Sequence, residues 1–186
     1  HGEHLLFEGR KMSKSSGNVV LVSDVVARGL DPLALRLAFL QHRYRQQMNL
    51  TWDALTAADT TLRRWRARVA EWATEPSAAM PADYVEALRS ALDDDLDTPR
   101  VITTLRELEK SESVPVGAKF ETFTYIDRVL GLNPARLVGQ ARPAPPEVPA
   151  EVADLLVERA TARSAKQWAE GDRLRDLIAS HGFTVV

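Results

Sequence analysis

Cysteine is missing from all 186 residues, which excludes disulfides and thiolate metal ligands in this stretch and leaves the redox compartment open. Uninterrupted apolar runs are short as well. None approaches the ~20 residues a membrane-spanning helix needs, and the first residues lack the pattern of an export signal. Neither sign of charge dominates: 24 Lys plus Arg stand against 26 Asp plus Glu, a formal charge of −2. Any contact with nucleic acid therefore has to come from a local basic face. The length accommodates one good core or two small ones, since domains cluster near ~100–150 residues. The chain opens on His1, directly ahead of a loop of catalytic character, which points to a piece of a longer protein.

That loop is Lys11-Met12-Ser13-Lys14-Ser15-Ser16-Gly17-Asn18. Two ammonium groups three residues apart can face one anion, and Lys is a compact point charge suited to phosphate oxygens. The serines and Gly17 add hydroxyls, backbone N–H groups and a flexible backbone. Such a loop can close over a nucleotide and stabilise charge developing on a leaving pyrophosphate. A solvated Ser/Lys turn is the competing reading of so short a motif.

Turn and cap residues divide the rest. Leu5-Leu6-Phe7 with Glu8-Gly9-Arg10 predicts a short strand and turn ahead of the loop. Ser23 is a suitable N-cap for a short helix carrying Val25 and Val26, which Gly29 would stop. Asp31-Pro32 predicts the next helix, with Leu33, Leu35, Leu37, Phe39 and Leu40 buried. A longer helix from Thr51 or Asp53 carries Leu55, Leu62, Trp65, Val69 and Trp72, the last four on one stripe of helical period. Exposed indoles are costly, so the Trp stripe is read as core rather than as a base-stacking surface. Arg63, Arg64, Arg66 and Arg68 are expected on the flanks and rear of that helix, either paired with Glu71 and other acids or facing an RNA backbone.

A further helix opens near Asp83 with Tyr84, Val85, Leu88 and Leu92. Asp93-Asp94-Asp95 and Asp97 then lead to Thr98-Pro99, where Thr98 can cap and Pro99 can open a helix through Val101, Leu105 and Leu108. The acidic run does not match a calcium loop, and capping accounts for it. Phe120, Phe123, Ile126, Val129 and Leu130 mark one more helix, ended by Gly131. Pro143, Pro145, Pro146 and Pro149 make an extended spacer. Beyond it, Val152, Leu155, Leu156 and Arg159 lie on one helix, and Trp168, Leu174, Leu177 and Ile178 on a second. Phe183-Thr184-Val185-Val186 reads as a strand.

Lys11 to Ser15 resembles the KMSKS signature of aminoacyl-tRNA synthetases with a Rossmann-like nucleotide-binding domain. The order of segments narrows the resemblance to the cysteinyl-tRNA synthetases. Asp31 to Arg36 is similar to the opening of that family's helical bundle, and His42-Arg43-Tyr44-Arg45 to its His-Tyr-Arg segment. Asp93 to Pro99 is similar to its acidic Asn-Thr-Pro segment, with Asp97 where Asn is usual. Ala162 to Trp168 with Asp172 to Asp176 is similar to its anticodon-reading module. The resemblance covers essentially the whole chain and places it as the C-terminal part from the KMSKS loop onward.

The resemblance implies a mainly α fold: a stem-contact segment with short strands, a helical-bundle anticodon-binding domain, and a small C-terminal helix-helix-strand module. The expected boundaries are 1–30 for the end of the catalytic domain with the loop, 31–138 for the bundle, 139–150 for the Pro-rich linker and 151–186 for the terminal module. It implies ATP-dependent activation of cysteine and transfer to tRNA(Cys) in the cytoplasm, by a protein expected to be a monomer without membrane contact. Lys14 is the main catalytic group and Lys11 a supporting one. Lys11, Met12, Ser13, Lys14 and Ser15 form the loop on ATP, which arrives with Mg. Trp168 and Asp172 meet the anticodon by stacking and by accepting from a base edge; Trp168 as core, and Asp172 as a surface acid paired with Arg173 or Arg175, are the competing readings. No metal ligands are expected here, because the family's HIGH-type motif and zinc ligands belong to an upstream domain, without which this chain should not activate an amino acid. The chain also stops before the acidic tail usual in the family.

Two alternatives stay open. Thr51-Trp52-Asp53 and Leu62 to Arg66 are similar to the mycothiol-pathway cysteine ligase, whose acceptor is an amino-sugar inositol. That enzyme has no use for residues 151–186. A noncatalytic RNA-binding module retaining the loop is the other.

Overall fold

A computed structural model of the chain describes residues 5–12, 19–140 and 149–183. The fold is mainly helical with a small mixed sheet near its start, and it divides into two compact units, His1–Gln140 and Ala141–Val186. In the first unit, strand β1 (Leu5–Phe7) turns through Glu8 and Gly9 into β2 (Arg10–Lys11), its antiparallel partner with Leu6 opposite Lys11. Both turn residues have positive φ, 48° and 73°, the backbone twist that suits a two-residue hairpin. Strand β3 (Met48–Leu50) joins β1 on its other side in parallel, Leu5 opposite Met48, giving the order β2-β1-β3.

Between β1 and β3 lie α1 (Val22–Ala27) and α2 (Pro32–Leu40). Ser23 does not cap α1. The helix starts at Val22, and the carboxylate of Asp24 reaches back to accept from the Leu21 N–H at 2.8 Å. Asp31 caps α2 as expected, accepting from the Leu33 N–H at 2.9 Å with Pro32 in the first turn. The inner face of α2 is Ala34, Leu37 and Ala38; Phe39 falls off that face and is exposed, against the expectation of burial.

Helix α3 (Trp52–Trp72) opens on Thr51, whose hydroxyl accepts from the Ala54 N–H, and buries Leu55, Leu62, Trp65, Val69 and Trp72. The Trp stripe is core. Trp65 and Trp72 meet Phe123 edge to face at centroid distances of 5.4 and 5.2 Å, an arrangement worth ~0.5–1.5 kcal/mol per pair beyond area burial. Phe123 lies on α6 (Val116–Leu130), which follows α4 (Ala82–Asp93) and α5 (Thr98–Lys110). The cap of α5 is Asp97 rather than Thr98: Thr98 is already helical, and the Asp97 carboxylate accepts from the Arg100 N–H. Val129 on α6 is exposed, while Gly131 ends the helix in the left-handed region at φ 62°. Gly117 sits against the Pro76 carbonyl so closely that a Cβ would collide with it. A 3-10 turn at Pro134–Leu137 completes the unit.

The second unit is a pair of helices, α7 (Ala150–Ser164) and α8 (Trp168–Ser180), joined around buried Val152, Ala162, Leu174 and Ile178. Of the strand expected at Phe183–Val186, Phe183 is described and is not in a strand, while residues 184–186 and most of the Pro-rich spacer lie outside the described residues. Among the described residues no helix is long and apolar enough to cross a membrane.

Candidate functional site

Of the lysine loop, Lys11 and Met12 are described; Ser13, Lys14 and Ser15 lie outside the described residues. Lys11 is exposed at the end of β2, and Met12 packs against the core. The hairpin that delivers them is fastened from the far side of the sheet. The Glu8 N–H donates to the Leu50 carbonyl at 3.0 Å, the Gly9 N–H to Asn49 Oδ1 at 2.8 Å, and the Trp52 N–H to Glu8 Oε1 at 2.9 Å. Glu8 and Asn49 were missed by sequence reasoning, because each makes its bond to a residue some forty positions away. On the other side of the loop, Val19 and Val20 line a cleft of about 430 Å³ with Phe7, Asp24, Arg28 and Trp52. The Arg28 guanidinium stacks 3.8 Å above the Trp52 ring, a cation–π contact that gives the cleft one flat, positively charged wall.

A second cluster forms around Asp31. Its carboxylate accepts from Arg66 and from Arg136 at 2.8 Å while capping α2, and its own N–H donates to Asp59. Arg66 is only 4% exposed and also donates to the carbonyls of Leu132 and Asn133, so it belongs to the interior rather than to the helix rear expected for it. Arg63 pairs with Asp59, Arg64 with Glu109 at 3.0 Å and Arg68 with Glu71 at 3.3 Å. The arginine cluster is thus committed to acids of its own unit. Burial by itself pushes the Asp31 carboxyl up, but the Arg66 hydrogen bond, the Leu33 N–H and the charges of Arg66 and Arg136 outweigh it and hold the group below its ordinary 3.8. A carboxyl lowered in the folded state contributes stability that is complete above its unfolded value and lost as pH falls through the folded one. Urea midpoints measured from about pH 6 to 2 will therefore fall less steeply at the acid end for Asp31→Asn than for the parent chain; parallel curves would show that Asp31 is not a source of acid sensitivity.

Two of the sequence segments singled out meet across the first unit. Arg43 pairs with Asp97, Tyr44 donates its hydroxyl to Asp95 at 2.7 Å, and Arg45 grips Asp95 through two nitrogens at 2.8 and 3.1 Å. The Tyr44 and Arg45 hydrogen bonds hold the Asp95 carboxyl below the usual carboxylate range. Asp95 and Asp97 of the acidic run are spent on these pairs and on capping α5, while Asp93 and Asp94 are exposed, and among the described residues no group of three or more His, Asp or Glu could hold a metal ion.

In the second unit, Trp168 stands at the first position of α8 and is 59% exposed, so the reading of it as core is overturned. Asp172 follows one turn later on the same face, exposed and paired with Arg175 at 3.2 Å. Arg163 at the end of α7 places its guanidinium 5.8 Å from the Trp168 ring centroid, a neighbour the sequence reading did not name. The structure thus brings an exposed indole, a carboxylate and a guanidinium together around one end of the helix pair.

Comparison with known proteins adds to this geometry. A family model described as the catalytic domain of class I (C) tRNA synthetases matches residues 1–60, and one described as the cysteinyl-tRNA ligase anticodon binding domain matches residues 145–185. The chain is similar to cysteine–tRNA ligases throughout its length. Cysteine–tRNA ligase 1 of Burkholderia lata is 37% identical over 186 residues, covering 100% of this chain and 38% of that protein. The cysteine–tRNA ligases of Opitutus terrae and Methylocella silvestris are each 38% identical, covering all of this chain and 39% of theirs. The chain thus spans about two fifths of the length of these relatives. The match over residues 1–60 overturns the expectation of a purely C-terminal part lacking the catalytic domain. Catalytic-domain sequence is present, and it runs past residue 30 through α2 and β3 into α3. Local signals hid this continuity, because Asp31-Pro32 begins a helix strongly enough to look like a domain start.

Proposed function

We propose that this chain is part of an ATP-dependent ligase that joins cysteine to tRNA(Cys), contributing the lysine loop and an anticodon-reading surface. The observation that carries the reading is the joint presence in one chain of a stretch similar to a class I catalytic domain and one similar to a cysteinyl-tRNA ligase anticodon domain. In the first step a carboxylate oxygen of cysteine attacks the α-phosphorus of ATP, the bond to the β-phosphate oxygen breaks, and pyrophosphate leaves with the electron pair. Lys14 stabilises the charge that develops on the leaving group, and Lys11, delivered by the β1–β2 hairpin, supports it. A terminal ribose hydroxyl of tRNA then attacks the adenylate carbonyl and releases AMP. The helices that follow the catalytic stretch, to residue 138, form the bundle, 139–150 the linker and 151–186 the anticodon module of a cytoplasmic monomer.

The match to an anticodon binding domain over residues 145–185 favours tRNA over the amino-sugar acceptor. Thr51 caps α3, Trp52 packs on Phe7 and Arg28, Leu62 and Trp65 are core, and Arg66 serves Asp31, so the wording shared with the amino-sugar ligase sits at structural positions and does not choose between the acceptors. The test is cysteine transfer by the protein that carries this chain, with ATP and with tRNA(Cys) and the amino-sugar inositol offered in parallel. Transfer to tRNA is expected, and transfer to the sugar alone would overturn the reading.

Exposure of Trp168 makes a separable prediction. Trp168→Ala removes a stacking face worth ~1–3 kcal/mol per base and opens no cavity. The affinity for tRNA(Cys) is expected to fall about tenfold or more while the helix signal and its thermal midpoint stay unchanged. Unchanged affinity would remove Trp168 from the anticodon contact.

A further inference from the structure

The connection from α2 to β3 is held at a place that nothing in the loop chemistry requires. Arg43, Tyr44 and Arg45 all reach the turn between α4 and α5, where Asp97 and Asp95 receive them. That turn runs through two successive non-glycine residues in the left-handed region, Asp95 at φ 52° and Leu96 at φ 56°. Left-handed backbone costs on the order of 1–3 kcal/mol per residue and persists only where the surroundings over-determine it. The Leu96 side chain is exposed and recovers nothing by packing. The restraint comes from the Asp97 N–H, which donates to the Ala91 and Asp94 carbonyls, and from the side chains of residues 43–45. The turn is therefore a fixed point on the bundle.

From this fixed point the restraint runs in one direction. Residues 46 and 47 follow Arg45, and then β3 begins at Met48. Asn49 and Leu50 accept from Gly9 and Glu8, and Glu8 accepts from Trp52. Those bonds set the Glu8-Gly9 turn, and Arg10 and Lys11 carry it into the loop. We infer that Arg43 is a positioning residue for the β1–β2 hairpin that leads into the lysine loop, acting through β3 with Asp97 as its anchored partner. The α4–α5 turn of the bundle thereby takes part in setting where Lys11 stands. The role in ATP use rests on the proposed ligase reading; the mechanical part does not.

Asp97 has two duties that can be separated. One carboxylate oxygen caps α5 through the Arg100 N–H and the other receives Arg43. Arg43→Met breaks the Arg43–Asp97 pair without touching the cap or the Tyr44 and Arg45 bonds to Asp95, and with Arg43 43% exposed it leaves no buried cavity. Asp97→Asn keeps an acceptor for the cap and removes only the charge. In amide hydrogen exchange on the 186-residue chain, Arg43→Met is expected to speed the Glu8 and Gly9 amides about three- to tenfold, with α6 amides unchanged and Asp97→Asn intermediate. In the protein that carries the chain, the same variant is expected to lower kcat for ATP–pyrophosphate exchange by a similar factor and leave the KM for cysteine alone. Unaltered exchange at Glu8 and Gly9 would overturn the inference, and so would equal acceleration in α6, which marks a merely structural role. Absence of cysteine-dependent ATP–pyrophosphate exchange in the parent protein would instead defeat the ligase reading, while the amide measurement would still decide on Arg43.

Discussion

Lys14→Ala in the protein that carries this chain is expected to slow cysteine-dependent ATP–pyrophosphate exchange by about 10²–10³-fold, the usual effect of removing one positioned donor from a developing negative charge. The physical reason is timing. An ammonium that meets the β- and γ-phosphate oxygens most strongly when the α–β bond is breaking contributes to the barrier and little to ground-state binding. The loss should therefore appear in kcat, with the KM for cysteine nearly unchanged. Lys11→Ala should have a smaller effect of the same kind, since its charge supports that of Lys14. Exchange at the parental rate in Lys14→Ala would remove that residue from the chemistry, and a fall confined to cysteine affinity would assign it to substrate binding instead.

The second large effect concerns stability. Arg66→Met in this chain is expected to lower the unfolding free energy by about 3–5 kcal/mol, because it breaks a buried ion pair from one side only. Arg66 is 4% exposed and serves Asp31 together with the Leu132 and Asn133 carbonyls, all of which lose a donor at once. Arg136 still faces Asp31 but is exposed and cannot replace the buried guanidinium. The control is Arg68→Met, three residues from Glu71 on the same helix with both side chains exposed, where the pair sits in solvent and its removal costs under about 1 kcal/mol. Urea unfolding of both variants separates the two cases. Equal losses would mean that depth of burial does not decide which arginine matters.

The helices were legible wherever the signal was local. Asp31-Pro32, Thr51 and Gly131 mark ends through bonds to residues within a turn of themselves, and the stripe of Leu62, Trp65, Val69 and Trp72 repeats over nearly three turns. Where two neighbouring residues both suited a cap, the choice went wrong. Ser23 lost to Leu21 with Asp24 reaching back, and Thr98 lost to Asp97, because the start of a helix depends on which turn packs against the core. Strand β3 was invisible. Met48-Asn49-Leu50 is too short to display a period, and its partner lies some forty residues earlier. The candidate anticodon residues illustrate the same limit. Trp168 and Asp172 were identifiable from the wording of the chain, but a Trp at helical spacing looks alike in a core and on a surface, and its exposure beside Arg163 settled which it is.

By itself, then, the amino-acid sequence determined a mainly helical chain, the helix caps that bond within one turn, and the lysine, serine and glycine loop with its phosphate-suited chemistry, since each depends on neighbours along the backbone. The tertiary structure alone decided that Arg66 is interior while Arg63 is not, that Glu8 and Asn49 fasten the hairpin, and that the His-Arg-Tyr-Arg segment is anchored to the acidic turn. These are pairings of charged and polar groups distant in sequence. Any arginine in the chain can satisfy any carboxylate, so composition leaves the partners open until packing brings one pair within reach and excludes water from it.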